Sequence, residues 1–189
     1  MSVPLLLFPG AGGDANHSSL VAIERGLAPR LVSRRDFQYR KLGRRAPDRA
    51  PVLIRSVVAD VESIVGRRKK SIVLGGRSMG GRMCSMAVAD GLVPQAKGLV
   101  LIAYPLHPPG KPDKLRIEHL PRVTVPCLFI SGTRDLFGTP DELQTATASI
   151  SGTVTHVWIE RKGHDLKGAD DAIVEAIRAW LKPGGGLRG

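Results

Sequence analysis

Several kinds of residue are scarce in this sequence, and each shortage excludes a class of protein. Only two of the 189 residues are cysteines, Cys84 and Cys127, so a disulfide scaffold is excluded and reduced, buried thiols are expected. The first apolar stretch, Leu5 to Phe8, is too short to cross a membrane, and no basic segment typical of a signal peptide precedes it. We therefore expect a cytoplasmic protein with no membrane contact.

Acidic residues are also scarce, and the formal net charge is +11. Basic residues cluster between Arg30 and Arg49, and the short run from Arg67 to Lys70 is entirely basic. Such clusters are typical of nucleic-acid or anionic-surface binding. However, aromatic residues make up only 4% of the chain, and no zinc-finger, ribonucleoprotein or helix-turn-helix spacing accompanies the basic residues. We predict a solvated basic surface and no nucleic-acid partner, and leave open whether the Arg30 to Arg49 cluster binds an anionic partner.

Short apolar runs alternate with helical patterns along the chain. Strands are predicted at Val3–Phe8, Ile72–Leu74, Gly98–Ala103, Pro126–Ile130 and Val154–Ile159, and helices at Ser18–Leu27, Pro51–Val65, Met79–Ala89 and Asp170–Leu181. The sequence from Thr139 to Glu142 has the residues of a helix start. This alternation predicts an α/β fold with a mostly parallel sheet covered by helices on both faces.

One segment fits that scheme poorly, because Leu31 to Phe37 should form a strand yet contains Arg34 and Arg35. We expect one domain over residues 1–182 and a flexible tail over residues 183–189. The excursion from Tyr104 to Val125 is too short for a large cap domain.

The motif with the clearest chemistry is Gly76-Arg77-Ser78-Met79-Gly80, which matches the G-x-S-x-G nucleophile elbow. A predicted strand precedes it and a predicted helix follows it, as such an elbow requires. Its glycines suit a sharp turn in which the serine backbone is strained. Ser78 is therefore the candidate nucleophile, and the alternative is a glycine-rich turn with an incidental serine.

A serine nucleophile needs a base, and the base needs an orienting acid. Asp135 and His164 each follow a predicted strand, in the chain order Ser, Asp, His that this motif predicts. The alternative for Asp135 is a turn or capping residue. We expect His17, His119 and His156 to be surface or structural residues. His107 follows a strand and could line the pocket, although its place in the order is wrong for the base.

An acyl-transfer site also needs N–H donors for the oxyanion. The elbow supplies the Met79 N–H at a helix N-terminus, and the turn from Gly10 to Gly13 supplies a second donor, for which we select the Ala11 N–H. A phosphate-binding role for this turn is poorly supported, because the GK[ST] ending of a phosphate loop is missing.

Together these segments resemble a compact α/β-hydrolase, in the dienelactone-hydrolase-like branch that includes testis-expressed protein 30 and NSL complex subunit 3. The resembling motifs are Phe8–Gly12, Gly43–Arg49, Gly75–Arg82, Tyr104–Gly110, Gly132–Asp135 and Gly163–Leu166. The resemblance implies a Ser78–Asp135–His164 triad and a cytoplasmic protein with no metal or organic cofactor. The first strand departs from the pattern, because Pro9-Gly10 stands where a His-Gly pair is common.

We expect a serine hydrolase that cleaves carboxylic esters through an acyl-enzyme, and the alternative is a non-catalytic interaction or anion-binding module of the same fold. Candidate substrate-binding residues are Arg77, Arg45, Tyr104 and His107. An arginine rim would favour acyl substrates with a negative charge, because guanidinium groups pair bidentately with carboxylates. The alternative for Arg77 and Arg45 is a structural role in internal salt bridges, for example with Asp48.

Overall fold

A computed structural model of the chain describes residues 2–66 and 70–188. Most of the basic run predicted at residues 67–70 therefore lies outside the described residues. The strands are β1 (Leu5–Phe8), β2 (Val32–Arg34), β3 (Ile72–Arg77), β4 (Ala96–Ile102), β5 (Cys127–Gly132) and β6 (Val154–Ile159). The helices are α1 (Ser18–Gly26), α2 (Gln38–Lys41), α3 (Ala50–Val65), α4 (Met79–Ala89), α5 (Pro140–Thr147) and α6 (Asp170–Leu181), with 3-10 turns at Leu120–Arg122 and Gly186–Arg188.

The six strands form one parallel sheet in the order β2-β1-β3-β4-β5-β6. Alternate residues of each inner strand face two different apolar clusters: Leu6 and Leu74 pack on the side of α3, α4 and α5, while Leu7 and Val73 pack on the side of α1 and α6. Strands buried on both faces need continuous apolar runs, which is the pattern seen in the sequence. The predicted α/β fold is confirmed.

The predicted strand within Leu31 to Phe37 exists and lies at the sheet edge. Only Val32 to Arg34 is extended, and it pairs in parallel with β1. The Arg34 side chain leaves the sheet to contact Glu24 at 2.8 Å and the Ala15 carbonyl. An edge strand has one open side, so it accommodates an arginine that a central strand would exclude.

The order of the strands determines where a site can form. The chain runs from β1 outward to β2, then returns to β3 on the other side of β1. Loops leaving β1 and β3 therefore lead to helices on opposite faces of the sheet, and this is the position at which open α/β sheets typically form a ligand-binding crevice. The elbow and the turn after β1 both lie at this position.

The remaining segments add little around the crevice. Between β4 and β5 the chain forms one 3-10 turn and no large cap, as expected. Residues 183–187 do not extend away from the molecule, because Leu187 packs against the apolar cluster beside α6. The domain limits at residues 1 and 182 stay a prediction. No helix among the described residues is long and apolar enough to cross a membrane.

Candidate active site

Ser78 lies in a strained turn between β3 and α4. Its backbone has φ 47° and ψ −117°, a region that residues with side chains rarely adopt. The turn is tight because β1 and α4 approach closely: a Cβ atom on Gly80 would be 2.5 Å from the Pro9 carbonyl oxygen, and one on Gly76 would be 2.4 Å from that of Phe8. The glycines of the motif are therefore required by contact as well as by conformation.

The structure brings Ser78, His164 and Asp135 together. The Ser78 hydroxyl lies 2.9 Å from His164 Nε2, and His164 Nδ1 lies 2.8 Å from Asp135 Oδ2. Asp135 is fully buried, whereas the His164 side chain is 22% exposed. With Nδ1 donating to the carboxylate, Nε2 can accept the hydroxyl proton of Ser78, which is the hydrogen-bond arrangement that general-base activation of a serine requires.

The loops that carry the acid and the base are packed backbone to backbone. The Arg134 N–H donates to the Lys162 carbonyl oxygen at 2.9 Å. A Cβ on Gly132 would be 2.1 Å from that same oxygen, so only glycine allows the approach. This contact sets the distance between the loop after β5 and the loop after β6, and so between Asp135 and His164.

Phe137 also touches the site, and sequence reasoning missed it. Its ring stacks on the His164 imidazole with centroids 4.0 Å apart and an interplanar angle of 24°. Its N–H donates to Asp135 Oδ1 at 2.9 Å. The next side chain toward the acid, Leu136, is 73% exposed. The available signal was Phe137 itself, an aromatic residue two positions after the candidate acid.

The turn after β1 lies against the nucleophile. A Cβ on Gly10 would be 3.4 Å from Ser78 Cβ, which places the turn beside the reacting oxygen. The buried Tyr39 holds the turn by donating its hydroxyl to the Ala11 carbonyl at 2.9 Å. Met79 begins α4, where backbone N–H groups are free of helical partners. The roles of Ala11 and Met79 as oxyanion donors stay a prediction.

The prediction that Arg77 lies on an exposed rim is wrong. Its side chain is 6% exposed and donates to Ser19 Oγ, to the His164 carbonyl and to the Asp165 carbonyl. Burial lowers the pKa of the guanidinium from its ordinary value. The suggested partner Asp48 pairs with Arg44 at 2.8 Å.

Two more of the substrate-binding candidates are buried. Tyr104 is fully buried, and its hydroxyl bonds with Ser85 Oγ and His119 Nε2, both at 3.0 Å. His107 is almost fully buried, with Nδ1 2.9 Å from the Pro108 carbonyl. His107 Nε2 also lies 3.5 Å from Glu142 Oε2. Both side chains are buried among protein groups, and a substrate contact of either stays a prediction. Arg45 is exposed in the loop between α2 and α3, and its substrate contact stays a prediction.

The other histidines have structural contacts, as expected. His17 caps α1 by accepting the Ser19 N–H, and burial lowers its pKa. His156 bonds with Thr147 Oγ1 at 3.0 Å, and burial lowers its pKa as well. No group of three or more His, Cys, Asp or Glu side chains placed to hold a metal ion occurs within residues 2–66 and 70–188.

Four of the seven arginines in the Arg30 to Arg49 cluster are paired with acids. The pairs are Arg34–Glu24 at 2.8 Å, Arg35–Asp60 at 3.7 Å, Arg40–Asp14 at 3.8 Å and Arg44–Asp48 at 2.8 Å. Each pair cancels one positive charge locally, although pairs this exposed contribute little to stability. The cluster therefore presents a weaker positive field than its sequence indicates.

Comparisons with known proteins agree with this architecture. A sequence model of the family described as "Alpha/beta hydrolase domain" matches residues 2–176. Est1E from Butyrivibrio proteoclasticus has a similar structure, with a TM-score of 0.75, 15% identity, and coverage of 94% of this chain and 86% of Est1E. The monoacylglycerol lipase of Paleococcus ferrophilus gives a TM-score of 0.74 at 14% identity, with 94% and 93% covered. The type II thioesterase BorB of the borrelidin biosynthetic cluster gives 0.72 at 19% identity, with 96% and 94% covered.

Proposed function

The chain belongs to the alpha/beta hydrolase domain family, and on that premise we propose that it is a serine hydrolase with Ser78, His164 and Asp135 as its catalytic triad. The observation that carries the proposal is the continuous chain of hydrogen bonds from Ser78 Oγ through the imidazole to the buried carboxylate. It occurs at a strained elbow that directly follows β3 at the carboxyl end of the sheet. A glycine-rich turn with an incidental serine would not need the hydrogen-bond chain, the strained backbone and this position in the sheet together.

The geometry supports a two-step acyl transfer. Ser78 Oγ attacks the substrate carbonyl carbon while His164 Nε2 takes the hydroxyl proton, and the Met79 and Ala11 N–H groups bind the oxyanion. The tetrahedral intermediate collapses as His164 returns that proton to the leaving alcohol. Water, deprotonated by His164, then attacks the acyl-enzyme, and the acid is released with Ser78 restored. Throughout, Asp135 holds the tautomer and stabilises the imidazolium.

A carboxylic ester is the substrate class we propose. The stacked Phe137 and the exposed Leu136 give the rim beside His164 an apolar side suited to an acyl or alcohol chain. No large cap covers the crevice, so small or extended acyl groups can enter. Arg45 is the one proposed arginine that is exposed, and a preference for anionic substrates depends on it alone.

We also propose a place in the dienelactone-hydrolase-like branch and action in the cytoplasm. The branch rests on the motif resemblance to testis-expressed protein 30 and NSL complex subunit 3, weakened by Pro9-Gly10 in place of His-Gly. The compartment rests on two cysteines that are buried and unbridged.

The proposal is tested by labelling the nucleophile with a fluorophosphonate probe. Wild-type protein should be labelled, whereas Ser78→Ala should show no labelling and lose at least about 10⁴-fold in ester turnover, because triad members act as a unit. Ser63→Ala is the matched control, since Ser63 is an exposed serine on α3 whose hydroxyl donates to the Asp60 carbonyl. Equal labelling of Ser78→Ala and wild type would exclude this site. If the protein shows no labelling and no ester turnover but binds duplex DNA with steep salt dependence, that result would favour the anion-binding alternative.

A further inference from the structure

We propose that Arg77 is a positioning residue that fixes His164 against Ser78 by holding the backbone of the loop after β6. The inference rests on the proposed function, because it concerns the base of that triad. In this proposal Arg77 binds a loop of the enzyme itself, in place of the substrate contact considered from the sequence.

Arg77 links the two loops that must meet for catalysis. It directly precedes Ser78, so its backbone moves with the elbow. Its Nη2 donates to the carbonyl oxygen of His164 at 3.2 Å and to that of Asp165 at 2.9 Å. A single side chain therefore connects the residue before the nucleophile to the backbone of the base itself.

The far side of the guanidinium is also held. Arg77 Nη1 lies 3.4 Å from Ser19 Oγ, and that hydroxyl lies 3.0 Å from His17 Nδ1 at the start of α1. These contacts restrain the guanidinium plane between α1 and the His164 loop. A lysine in this position could offer its ammonium to one carbonyl, but it lacks the planar fork that holds two groups in fixed directions.

Carbonyl groups replace the ion pair that a buried arginine usually has. Within residues 2–66 and 70–188, no carboxylate oxygen lies within 4.0 Å of the Arg77 nitrogens. Burying a charge without a paired acid is unfavourable unless its N–H groups are bonded. The bonds that compensate here are those to the His164 and Asp165 carbonyls and to Ser19 Oγ, while the carboxylates of Asp170, Asp165 and Asp135 favour the charged form at longer range. Two of the three bonds are to the His164 loop, so the loop contributes directly to keeping the charge buried.

The loop after β6 needs such support because part of its backbone is strained. Arg161 has φ 59° and Leu166 has φ 49°, values that residues with side chains rarely adopt. Strained backbone persists only where surrounding contacts hold it. The buried Leu166 side chain secures the far end of the loop in the core, and Arg77 secures the part that contains His164.

Loss of Arg77 should slow the chemical step more than substrate binding. A shift of about 1 Å in a catalytic group can lower the rate about 100-fold. We therefore expect Arg77→Met to lower kcat by about 10- to 100-fold and to change KM by less than about threefold, because the guanidinium is buried and bonds protein groups. Arg77→Lys should recover part of that loss, and Ser19→Ala should lower kcat by less than about threefold, since both carbonyl contacts remain.

The experiment compares these variants with Arg178→Met. Arg178 also joins two elements through a carbonyl, donating to Gly26 at 2.6 Å, but it contacts neither triad loop. For each variant we would measure kcat and KM on a neutral ester, the fluorophosphonate labelling rate, and amide hydrogen exchange of residues 160–169. Arg77→Ala would also be assayed with guanidinium chloride far below denaturing concentrations, which are molar.

The expected result is a selective fall in kcat and in labelling rate, faster exchange confined to residues 160–169, and partial rescue by guanidinium. Wild-type kcat in Arg77→Met, or a rise in KM alone, would overturn the proposal. The proposal would also be overturned if Arg77→Met and Arg178→Met lost the same fraction of kcat and guanidinium did not restore the activity of Arg77→Ala. The exchange measurement does not depend on turnover: a wild type without labelling refutes the proposed function, whereas unchanged exchange in Arg77→Met refutes the positioning role.

Discussion

Among the three candidate triad residues, Asp135 is the most deeply buried. Its carboxylate is fully buried and bonds both His164 Nδ1 and the Phe137 N–H. Each partner donates, so the carboxylate accepts on both of its oxygens. That arrangement suits an orienting acid, whereas an exposed capping aspartate would keep most of its water contacts.

Substituting Asp135 by asparagine tests this role. The amide preserves shape but can donate its own N–H toward Nδ1, which favours the wrong imidazole tautomer, and we expect kcat to fall by about 10⁴-fold. The control is Asp165→Asn, because the Asp165 carboxylate bonds the Lys167 N–H rather than the histidine, and its kcat should stay within about threefold of wild type. If Asp165→Asn showed the larger loss, Asp165 would be the orienting acid.

The elements that the sequence predicted well are those whose signals are local. The strand–elbow–helix around Ser78, the capping box at Thr139 and helix α6 all appear at or near the predicted positions, because caps, glycines and apolar spacing act within a few residues. Helix α2 was missed, since four residues are too few to show a period.

Side-chain placements across the sheet were predicted least well. For Arg77 the sequence leaves a rim position and an internal role both open, because G-x-S-x-G indicates a turn but does not indicate which face its second residue occupies. Its acceptors lie 87 and 88 residues further along the chain. The hydrogen bonds of Tyr104 are not predictable for the same reason, since its partner Ser85 is on another element. Contacts of this kind depend on how helices pack on the sheet, which local patterns do not contain.

The contact between β1 and α4 is tested by Gly80→Ala. A Cβ there would lie 2.5 Å from the Pro9 carbonyl oxygen and 2.6 Å from that of Phe8, and backbone cannot yield as a flexible side chain can. We expect the free energy of unfolding in urea to fall by about 1–3 kcal/mol. Gly12→Ala is the control, because nothing lies within 4 Å of its added Cβ, and its stability should change by less than about 1 kcal/mol. Equal stability of the two variants would show that the contact is looser than described.

In the whole molecule, ion pairs offset more of the positive charge than the sequence alone indicates. The net charge of +11 and the Arg30 to Arg49 cluster favour a basic face, yet Glu24, Asp60, Asp14 and Asp48 each approach one of its arginines. Glu24, Asp60 and Asp14 come from segments outside the cluster, so its composition alone could not reveal their pairing, whereas Asp48 lies within the cluster, four residues after Arg44. The expectation of a solvated surface is consistent with this arrangement, while the identity of any partner stays a prediction.

The stability of the whole molecule should depend on pH through His119. Its Nε2 lies 2.8 Å from Ser85 Oγ and 3.0 Å from the Tyr104 hydroxyl, which joins the excursion between β4 and β5 to α4. Burial, with the charges of Arg82 and Arg122, lowers the pKa of His119 to about 4. Between that value and the ordinary pKa of about 6.5, the unfolded chain binds a proton that the folded chain does not, so stability falls as the pH drops through this window.

From about pH 7 to about pH 4.5, His119 should account for a loss of about 2 kcal/mol in the free energy of unfolding. His119→Gln keeps a polar group in the network but has no proton to gain, so its loss over the same interval should be smaller by that amount. Urea unfolding of both proteins at each pH measures the difference. His17 and His156, whose pKa values are also lowered by burial, contribute equally to both proteins and cancel in the comparison. Parallel stability curves would mean that His119 is protonated in the folded state without penalty, and that its bonds with Ser85 and Tyr104 do not require a neutral ring.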